Sequence, residues 1–266
     1  MITRGGDKMS YKSSRKLLEN CLKICIKPQL REHLGSSIKT RELQTILVHG
    51  KCRSSLVHFV NDALARIAHS STQTMIMHVS MNRLIESRNS LVNMFKVASK
   101  MNPCIICFED IDRFMNDSEL PKLVGNLARL FDQFIDFVHE LEGDNDNEDI
   151  VIIGITNLVN SLHPSISRLF RTGIHVPEPS ADERYRFLSN EIPDQYDGHC
   201  MMIDDRDIRY LANVTENYSL ADLRTIVEQA CINNNNDNNS NDVDQYRPFG
   251  LTLEMLLESK EKIAPS

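Results

Sequence analysis

The segment from Pro103 to Asp112 constrains the fold of this chain more than any other, because five consecutive apolar residues lead directly into two carboxylates. An apolar run without polar alternation is typical of a strand at the centre of a parallel sheet, where helices cover both faces. Glu109 and Asp110 follow at the carboxyl end of that strand, which is the edge where open α/β sheets bind ligands. The segment therefore predicts a buried strand that presents acidic side chains to a cleft.

Apolar runs of strand length alternate with helical patterns before Pro179, and only helical patterns follow it. Strands are predicted at 45–49, 74–79, 104–108, 150–155 and 174–176. Helices are predicted at 14–34, 54–69, 88–101 and 119–141, and after Pro179 at 181–192, 205–213, 219–232 and 251–262. This order predicts a three-layer α/β domain with a parallel sheet, followed by a small all-helical domain.

Three parts of the chain are expected. Residues 1–44 are a basic helical lead-in, 45–179 the α/β domain, and 180–266 the helical domain, in which the Asn-rich tract 233–247 is predicted to be a disordered loop. Residues 1–53 contain twelve Lys or Arg against four Asp or Glu, although the whole chain has a net charge of −7. Such an arm suits nucleic acid or an acidic membrane, but its charges interleave with a helical apolar pattern, which favours a solvated helix face.

The apolar runs are far shorter than the roughly 18 residues that cross a bilayer, so no transmembrane segment is predicted. Residues 1–14 are polar and show no secretory signal. The seven cysteines are scattered in apolar contexts, which indicates reduced, buried thiols. We therefore expect a cytoplasmic protein that does not bind nucleic acid.

Several segments, in this order, resemble those of AAA-type ATPases. They are Ile46–Gly50 with the helix after it, Cys104–Asp112, Val151–Asn157, the passage containing Arg168 and Arg171, and Tyr218–Leu223. The resemblance implies a P-loop-like α/β domain with a helical lid, ATP and Mg²⁺ as cofactors, and other AAA subunits as partners in a homo- or hetero-hexamer. It also implies a protein substrate or a membrane adaptor.

The resemblance also assigns site residues. The nucleotide-binding positions are Gly50, Arg53, Ser54 and Ser55; the catalytic positions are Glu109, Asp110 and Asn157; the Mg²⁺ positions are Ser54 and Glu109; and Arg168 and Arg171 are the arginines that act on a neighbouring subunit. An arginine supplied in trans stabilises charge on the neighbour's γ-phosphate. A surface Arg pair in a turn, and acids that merely solvate a strand end, are the alternative interpretations.

The phosphate loop departs from the pattern G-x-x-x-x-G-K-[ST], in which backbone N–H groups cradle the phosphates, Lys pairs with them and the hydroxyl holds Mg²⁺. Without a gap, Leu56 and Val57 fall on the last two positions; with a three-residue deletion, Arg53 and Ser54 do. Both registers lack the second glycine. The order of Glu109 and Asp110 is likewise the reverse of the family's Asp-Glu pair.

Within this family, the chain resembles the first, degenerate ATPase domain of the peroxisome-biogenesis AAA proteins, of the peroxin-six type. The similarity includes the lead-in around Lys27, the short Phe170–Pro177 passage and the tail from Leu251. It implies a structural part of an import-receptor-recycling motor with weak or no ATP hydrolysis, either free in the cytoplasm or peripheral at the peroxisomal membrane. A slow Mg²⁺-dependent ATPase and a non-catalytic binding module that uses the basic arm are the alternatives.

Overall fold

The computed structural model describes residues 10–26, 44–70, 74–86, 91–101, 103–114, 126–143, 149–195, 202–238 and 251–265. The chain divides into two compact units, Met1–Pro177 and Glu178–Ser266. Within the described ranges, no helix combines the length and the apolar character that crossing a membrane requires.

The first unit alternates strands and helices. Its described elements are α1 (Tyr11–Ile26), β1 (Thr45–Gly50), α2 (Arg53–Ser70), β2 (Met75–Ser80), α3 (Met81–Glu86), α4 (Leu91–Lys100), β3 (Cys104–Glu109), α5 (Asn126–Gly143), β4 (Ile150–Thr156), α6 (Pro164–Leu169) and β5 (Thr172–Val176). Short 3₁₀ turns follow β3 at Ile111–Arg113 and β4 at Val159–Ser161.

The five strands form one parallel sheet in the order β2-β3-β4-β1-β5, which confirms the predicted α/β class. β3 and β4 occupy the interior of this sheet, and their apolar residues are buried on both faces. One face packs on α4, α5 and α6, and the other on α1 and α2. The unbroken apolar runs in the sequence thus reflect strands that are covered on both sides.

β5 begins two residues before the predicted segment 174–176, because Thr172 and Gly173 pair with Ile46 and Leu47 of β1. Gly154 in β4 is required by packing. A Cβ atom at that position would lie 2.6 Å from Cζ of Phe170 and 3.3 Å from a Leu47 methyl. The aromatic ring therefore fills the space that a side chain would need.

α1, which lies in the predicted lead-in 1–44, belongs to the same unit as the sheet. Its apolar stripe, which includes Leu18 and Leu22, is fully buried. Its charged face is tied to α2 because Arg15 pairs with Asp62 at 3.2 Å and Arg66 pairs with Glu19 at 3.6 Å. The described helix spans Tyr11–Ile26, and the rest of the predicted segment, up to residue 34, lies with residues 27–43 outside the described residues.

The second unit consists of helices in its described part. These are α7 (Ala181–Gln195), α8 (Asp205–Val214), α9 (Leu220–Asn238) and α10 (Leu253–Lys262). α8 begins with a reciprocal capping box between Asp204 and Asp207, and Ser219 and Asp222 bond each other's backbone N–H at the start of α9. Local capping residues thus set where these helices start.

α9 continues to Asn238, six residues into the tract predicted to be a disordered loop. Gln229 donates to the Asn233 side chain at 2.9 Å, and Asn234 is buried. The spacing of apolar residues does not indicate these last turns, because the side chains that are buried or hydrogen-bonded there are amides. Residues 239–250 lie outside the described residues.

Candidate functional site

The connection between β1 and α2 consists of two residues, Lys51 and Cys52. Cys52 caps the helix: its carbonyl accepts from the N–H of Leu56 at 3.1 Å, and its Sγ accepts from the N–H of Ser55 at 3.4 Å. A sulfur therefore takes the place that a Ser or Asp oxygen usually holds at a helix start. Ser54 is exposed and its Oγ lies 3.1 Å from the same sulfur, whereas Ser55 is buried.

Gly50 ends β1 where the chain approaches β5 closely. A Cβ atom on Gly50 would lie 2.5 Å from the Val176 carbonyl oxygen and 3.0 Å from a methyl of Leu56. Glycine at this position is thus required by backbone packing, irrespective of any ligand. Leu56 is buried beside it and presents no polar group to the cleft.

Asp110 is the centre of the site. It follows β3 in the left-handed conformation, with φ of 61°, and its side chain is 5% exposed. Oδ2 of Asp110 accepts from Nη2 of Arg53, the first residue of α2, in an ion pair. The same oxygen accepts from Nδ2 of Asn82 in α3 at 3.1 Å. The acid strand and the shortened loop are thus joined directly.

Burial raises the pKa of Asp110, and the neighbouring Asp112 carboxylate adds to that rise. The Arg53 guanidinium opposes it through charge attraction and its hydrogen bond, but does not cancel it. Arg53 keeps half of its side chain in water, with 51% exposed. The pair therefore joins a desolvated acid to a partly hydrated base.

The other acids and the polar end of β4 are arranged around this pair. Glu109 ends β3 next to Ile155 of β4 in the register, and is half-buried. Oγ1 of Thr156 donates to Oδ1 of Asp112 at 3.0 Å and accepts from the N–H of Leu158 at 2.9 Å. Asn157 is exposed at the end of β4. The carboxyl ends of β1, β3 and β4 thus lie at one edge of the parallel sheet.

Two residues of this site were not predicted from sequence. Asn82 holds Asp110 from the helix after β2, and Thr156 holds Asp112 from β4. A usable signal for Asn82 is its place two residues beyond the end of a strand that neighbours β3. Thr156 precedes the predicted Asn157 and lies at the same strand end.

Arg168 and Arg171 are both exposed on the segment between β4 and β5. The backbone beside them is anchored to the sheet, because Oγ1 of Thr45 donates to the Leu169 carbonyl at 2.8 Å and accepts from the N–H of Arg171 at 3.3 Å. Arg168 lies in the last turn of α6, which begins with Pro164 after the capping residue His163. The backbone that carries both arginines is thus fixed to the sheet.

In the part of the chain that the structure describes, no three or more His, Cys, Asp or Glu side chains lie close enough together to hold a metal ion. Glu109 and Ser54 were the predicted Mg²⁺ ligands. Glu109 lies at the end of β3, and Ser54 lies in the first turn of α2 beside Cys52. A metal held by protein carboxylates alone is therefore not supported by these residues.

Comparison with known proteins gives consistent results. Residues 53–179 match the family model of the ATPase family associated with various cellular activities (AAA). The chain is 30% identical over 138 residues to the ATPase family AAA domain-containing protein FIGL1 of Arabidopsis thaliana, which is 52% of this chain and 19% of that protein. It is 26% identical over 242 residues to a putative cell division cycle ATPase of Plasmodium falciparum, covering 86% of this chain and 17% of that protein.

The fold is similar to the crystal structure of the FIGL-1 AAA domain in complex with ADP. The TM-score is 0.70 at 16% identity, with 98% of this chain and 86% of that chain covered. The chain thus spans about a fifth of the length of these two curated relatives and most of one solved domain. Residues 53–179 thus match the AAA ATPase family, and the fold of the chain is similar to that of a solved AAA domain.

Proposed function

We propose that this is a degenerate AAA domain, which supports an assembly of AAA subunits and hydrolyses ATP weakly or not at all. The observation that carries the proposal is the ion pair between Arg53 and Asp110. It joins the loop that would cradle phosphates to the acid that would act on the attacking water. A nucleotide would have to break this pair before it could use either side chain.

Members of the family bind ATP, typically with Mg²⁺, and a loop of backbone N–H groups is needed to wrap the phosphates. Here Lys51 and Cys52 are the whole connection, and the sulfur of Cys52 already accepts from one N–H at the start of α2. Leu56, the residue at the loop-lysine position in the ungapped register, is buried against Gly50. The residues present therefore fit a triphosphate poorly in either register.

The acid pair supports the same conclusion. By resemblance, Glu109 stands where the family has the Asp that holds Mg²⁺, and Asp110 where it has the catalytic Glu. Exchanging the longer Glu side chain with the shorter Asp side chain displaces each carboxylate by about 1 Å, and such a displacement can lower the rate of hydrolysis ~100-fold. Asp110 is also turned back onto Arg53 and Asn82, which occupies its Oδ2 with two donors.

A subunit that is inert at its own site can still act on the next one. Arg168 and Arg171 are exposed, and the backbone around them is fixed to β1 through Thr45. AAA proteins are usually oligomeric, and an arginine supplied in trans is worth about 10³-fold or more in rate. We therefore assign these two side chains to a neighbour's nucleotide site in a homo- or hetero-hexamer.

The finer part of the proposal places this subunit in a peroxisome-biogenesis motor that recycles import receptors. It rests on the resemblance of the lead-in, the short Phe170–Pro177 passage and the tail to the first ATPase domain of those proteins. A protein substrate or membrane adaptor, and a position at the peroxisomal membrane, follow from that resemblance.

A slow Mg²⁺-dependent ATPase is the second candidate. Glu109 favours it, because this residue ends β3 and its side chain forms no hydrogen bond or ion pair with another described residue. A binding module built on the basic arm is less well supported. Arg15 on α1 pairs with Asp62 and Glu19 rather than projecting towards a partner.

Steady-state measurement of ATP hydrolysis distinguishes the proposed degenerate domain from a slow Mg²⁺-dependent ATPase. We expect the purified chain with Mg²⁺ and ATP to release no more phosphate than the double variant Glu109→Gln/Asp110→Asn. Turnover that disappears in the double variant would establish the slow ATPase instead.

The role of Arg168 and Arg171 at a neighbour's site is tested separately, by mixing the chain with a catalytically active AAA partner. The double variant Arg168→Ala/Arg171→Ala should lower the partner's rate of ATP hydrolysis, and a rate equal to that with the wild type would exclude the assigned role.

A further inference from the structure

A groove of about 490 Å³ runs between α4 and α5, on the sheet face opposite α1 and α2. Its floor is formed by Phe95 and Phe137, whose rings stack with centroids 3.4 Å apart and planes within 4°. Both rings are at least 95% buried, so they seal the groove from the core. The lining residues of α4 span 92–100, which corresponds to about 12 Å along the helix.

The two walls of the groove carry opposite charges. Lys96 and Lys100 line the α4 side at a spacing of four residues, and Asp136 and Glu140 line the α5 side at the same spacing. In the described part of the chain, none of the four forms an ion pair or hydrogen bond across the groove. Two basic and two acidic side chains thus face each other over an apolar floor without closing it.

Three exposed apolar residues lie in or directly after α4, and one of them lines the groove. Val92 is 39% exposed, Val97 47% and Met101 48%, and all three belong to α4 or to the residue directly after it. Val92 is one of the residues that line the groove, whereas Val97 and Met101 lie outside its lining, so the exposed apolar surface of α4 extends beyond the groove. The lysines alternate with these residues along the helix, so the surface is amphipathic rather than uniformly apolar.

From these features we infer that the groove binds one amphipathic helix of a partner protein. Its apolar stripe, with anchors at i, i+3 or i+4 and i+7, lies over Phe95 and Phe137. Its acidic edge meets Lys96 and Lys100, and its basic edge meets Asp136 and Glu140. Because the two walls differ in sign, such a helix binds in one direction, and charge rather than area sets the specificity.

The probe is a designed helical peptide of about three turns, with a leucine stripe, glutamates along one edge and lysines along the other. We expect saturable binding to the full chain by fluorescence anisotropy, with a Kd below about 100 μM. A matched peptide with glutamates on both edges should bind about tenfold more weakly, because it meets Asp136 and Glu140 with like charge. No saturation by the mixed-edge peptide at 1 mM (~tenfold above that limit) would overturn the proposal.

The protein variant Lys96→Glu/Lys100→Glu makes both walls acidic and leaves the buried floor unchanged. It should lose about tenfold in affinity for the mixed-edge peptide and bind best to a peptide with lysines on both edges. An unchanged order of peptide affinities would exclude charge-selected docking. Sedimentation equilibrium tests a second copy as the occupant: self-association that this variant abolishes would contradict binding of a partner's helix.

Discussion

Two Arg–Asp pairs of this molecule have similar partners and opposite electrostatics. Asp110 bonds Arg53 and the neutral donor Asn82, and Asp205 bonds Arg209 and the neutral donor Tyr185. Burial raises the pKa of Asp110, whereas hydrogen bonds from Tyr185 and Arg209 lower the pKa of the exposed Asp205. The difference shows that solvent access, and not the presence of an arginine, decides the direction.

The comparison also indicates what each pair does. An exposed pair contributes little to stability, whereas a buried acid has lost hydration that its partner only partly restores. A buried pair is therefore weak evidence for stability, and its position needs another explanation. In the function proposed above, Arg53 and Asp110 stand at the two positions that the family resemblance assigns to a nucleotide, and the ion pair would replace their contacts with that ligand.

The largest expected effect is that of Arg53→Met, which leaves the Asp110 carboxylate buried without its base. We expect the free energy of unfolding to fall by about 1–2 kcal/mol at pH 7, less than the roughly 3–5 kcal/mol of a fully buried pair, because half of Arg53 lies in water. Urea unfolding measures this. The matched control is Lys51→Met, which removes a neighbouring exposed cation. An equal loss of stability in the control would mean that the loss does not come from the ion pair with Asp110.

A smaller effect of opposite sign is expected from Asp110→Asn. The folded pKa of Asp110 lies above its unfolded value of about 3.9, so its contribution is present at low pH and is lost as the pH rises through the folded pKa. Asparagine does not ionise, keeps a bond to Asn82 and adopts the left-handed conformation readily. At pH 7 we expect the free energy of unfolding, measured with urea, to be unchanged or to rise by about 1 kcal/mol. This gain should vanish near pH 3, ~1 unit below the unfolded pKa. A marked decrease in the free energy of unfolding at pH 7 would contradict the expected stabilisation.

Asp205→Asn should produce the smallest effect. The pKa of Asp205 is lowered in the folded state, so its contribution is present at neutral pH and is lost as the pH falls through that lowered pKa. Because the pair is exposed, salt screens it. We expect a Tm within error of the wild type at high salt and a slight decrease at low salt by calorimetry. A large decrease that is insensitive to salt would remove the contrast with Asp110.

The fold could be predicted because its signals are local. The apolar runs of β3 and β4 are buried on both faces as expected, and the strand that ends in Glu109 occupies the interior of the sheet. The predicted helices of the second unit also agree with the structure, because the apolar residues at helical spacing and the capping residues indicate the same helix starts. The strand boundaries differ from the predicted ones by one or two residues, since pairing rather than composition sets them.

The site was less predictable because it depends on contacts between residues far apart in the sequence. Arg53 and Asp110 are 57 positions apart, and Asn82 lies 28 positions from Asp110. A loop motif can indicate that a site is altered, but not that its arginine turns onto the acid. The packing of α1 on α2 and the extension of α9 to Asn238 were missed for the same reason, since both depend on tertiary burial.

The central claim is that the Arg53–Asp110 pair leaves this AAA domain without a working nucleotide site. Isothermal titration of Mg-ATP into the wild-type chain, with Arg53→Met and Lys51→Met alongside, tests it most directly. We expect no saturable binding by the wild type at concentrations up to about 1 mM, a Kd limit that corresponds to roughly −4 kcal/mol. Micromolar binding that Arg53→Met abolishes and Lys51→Met preserves would contradict the claim, because Arg53 would then be holding phosphate rather than Asp110.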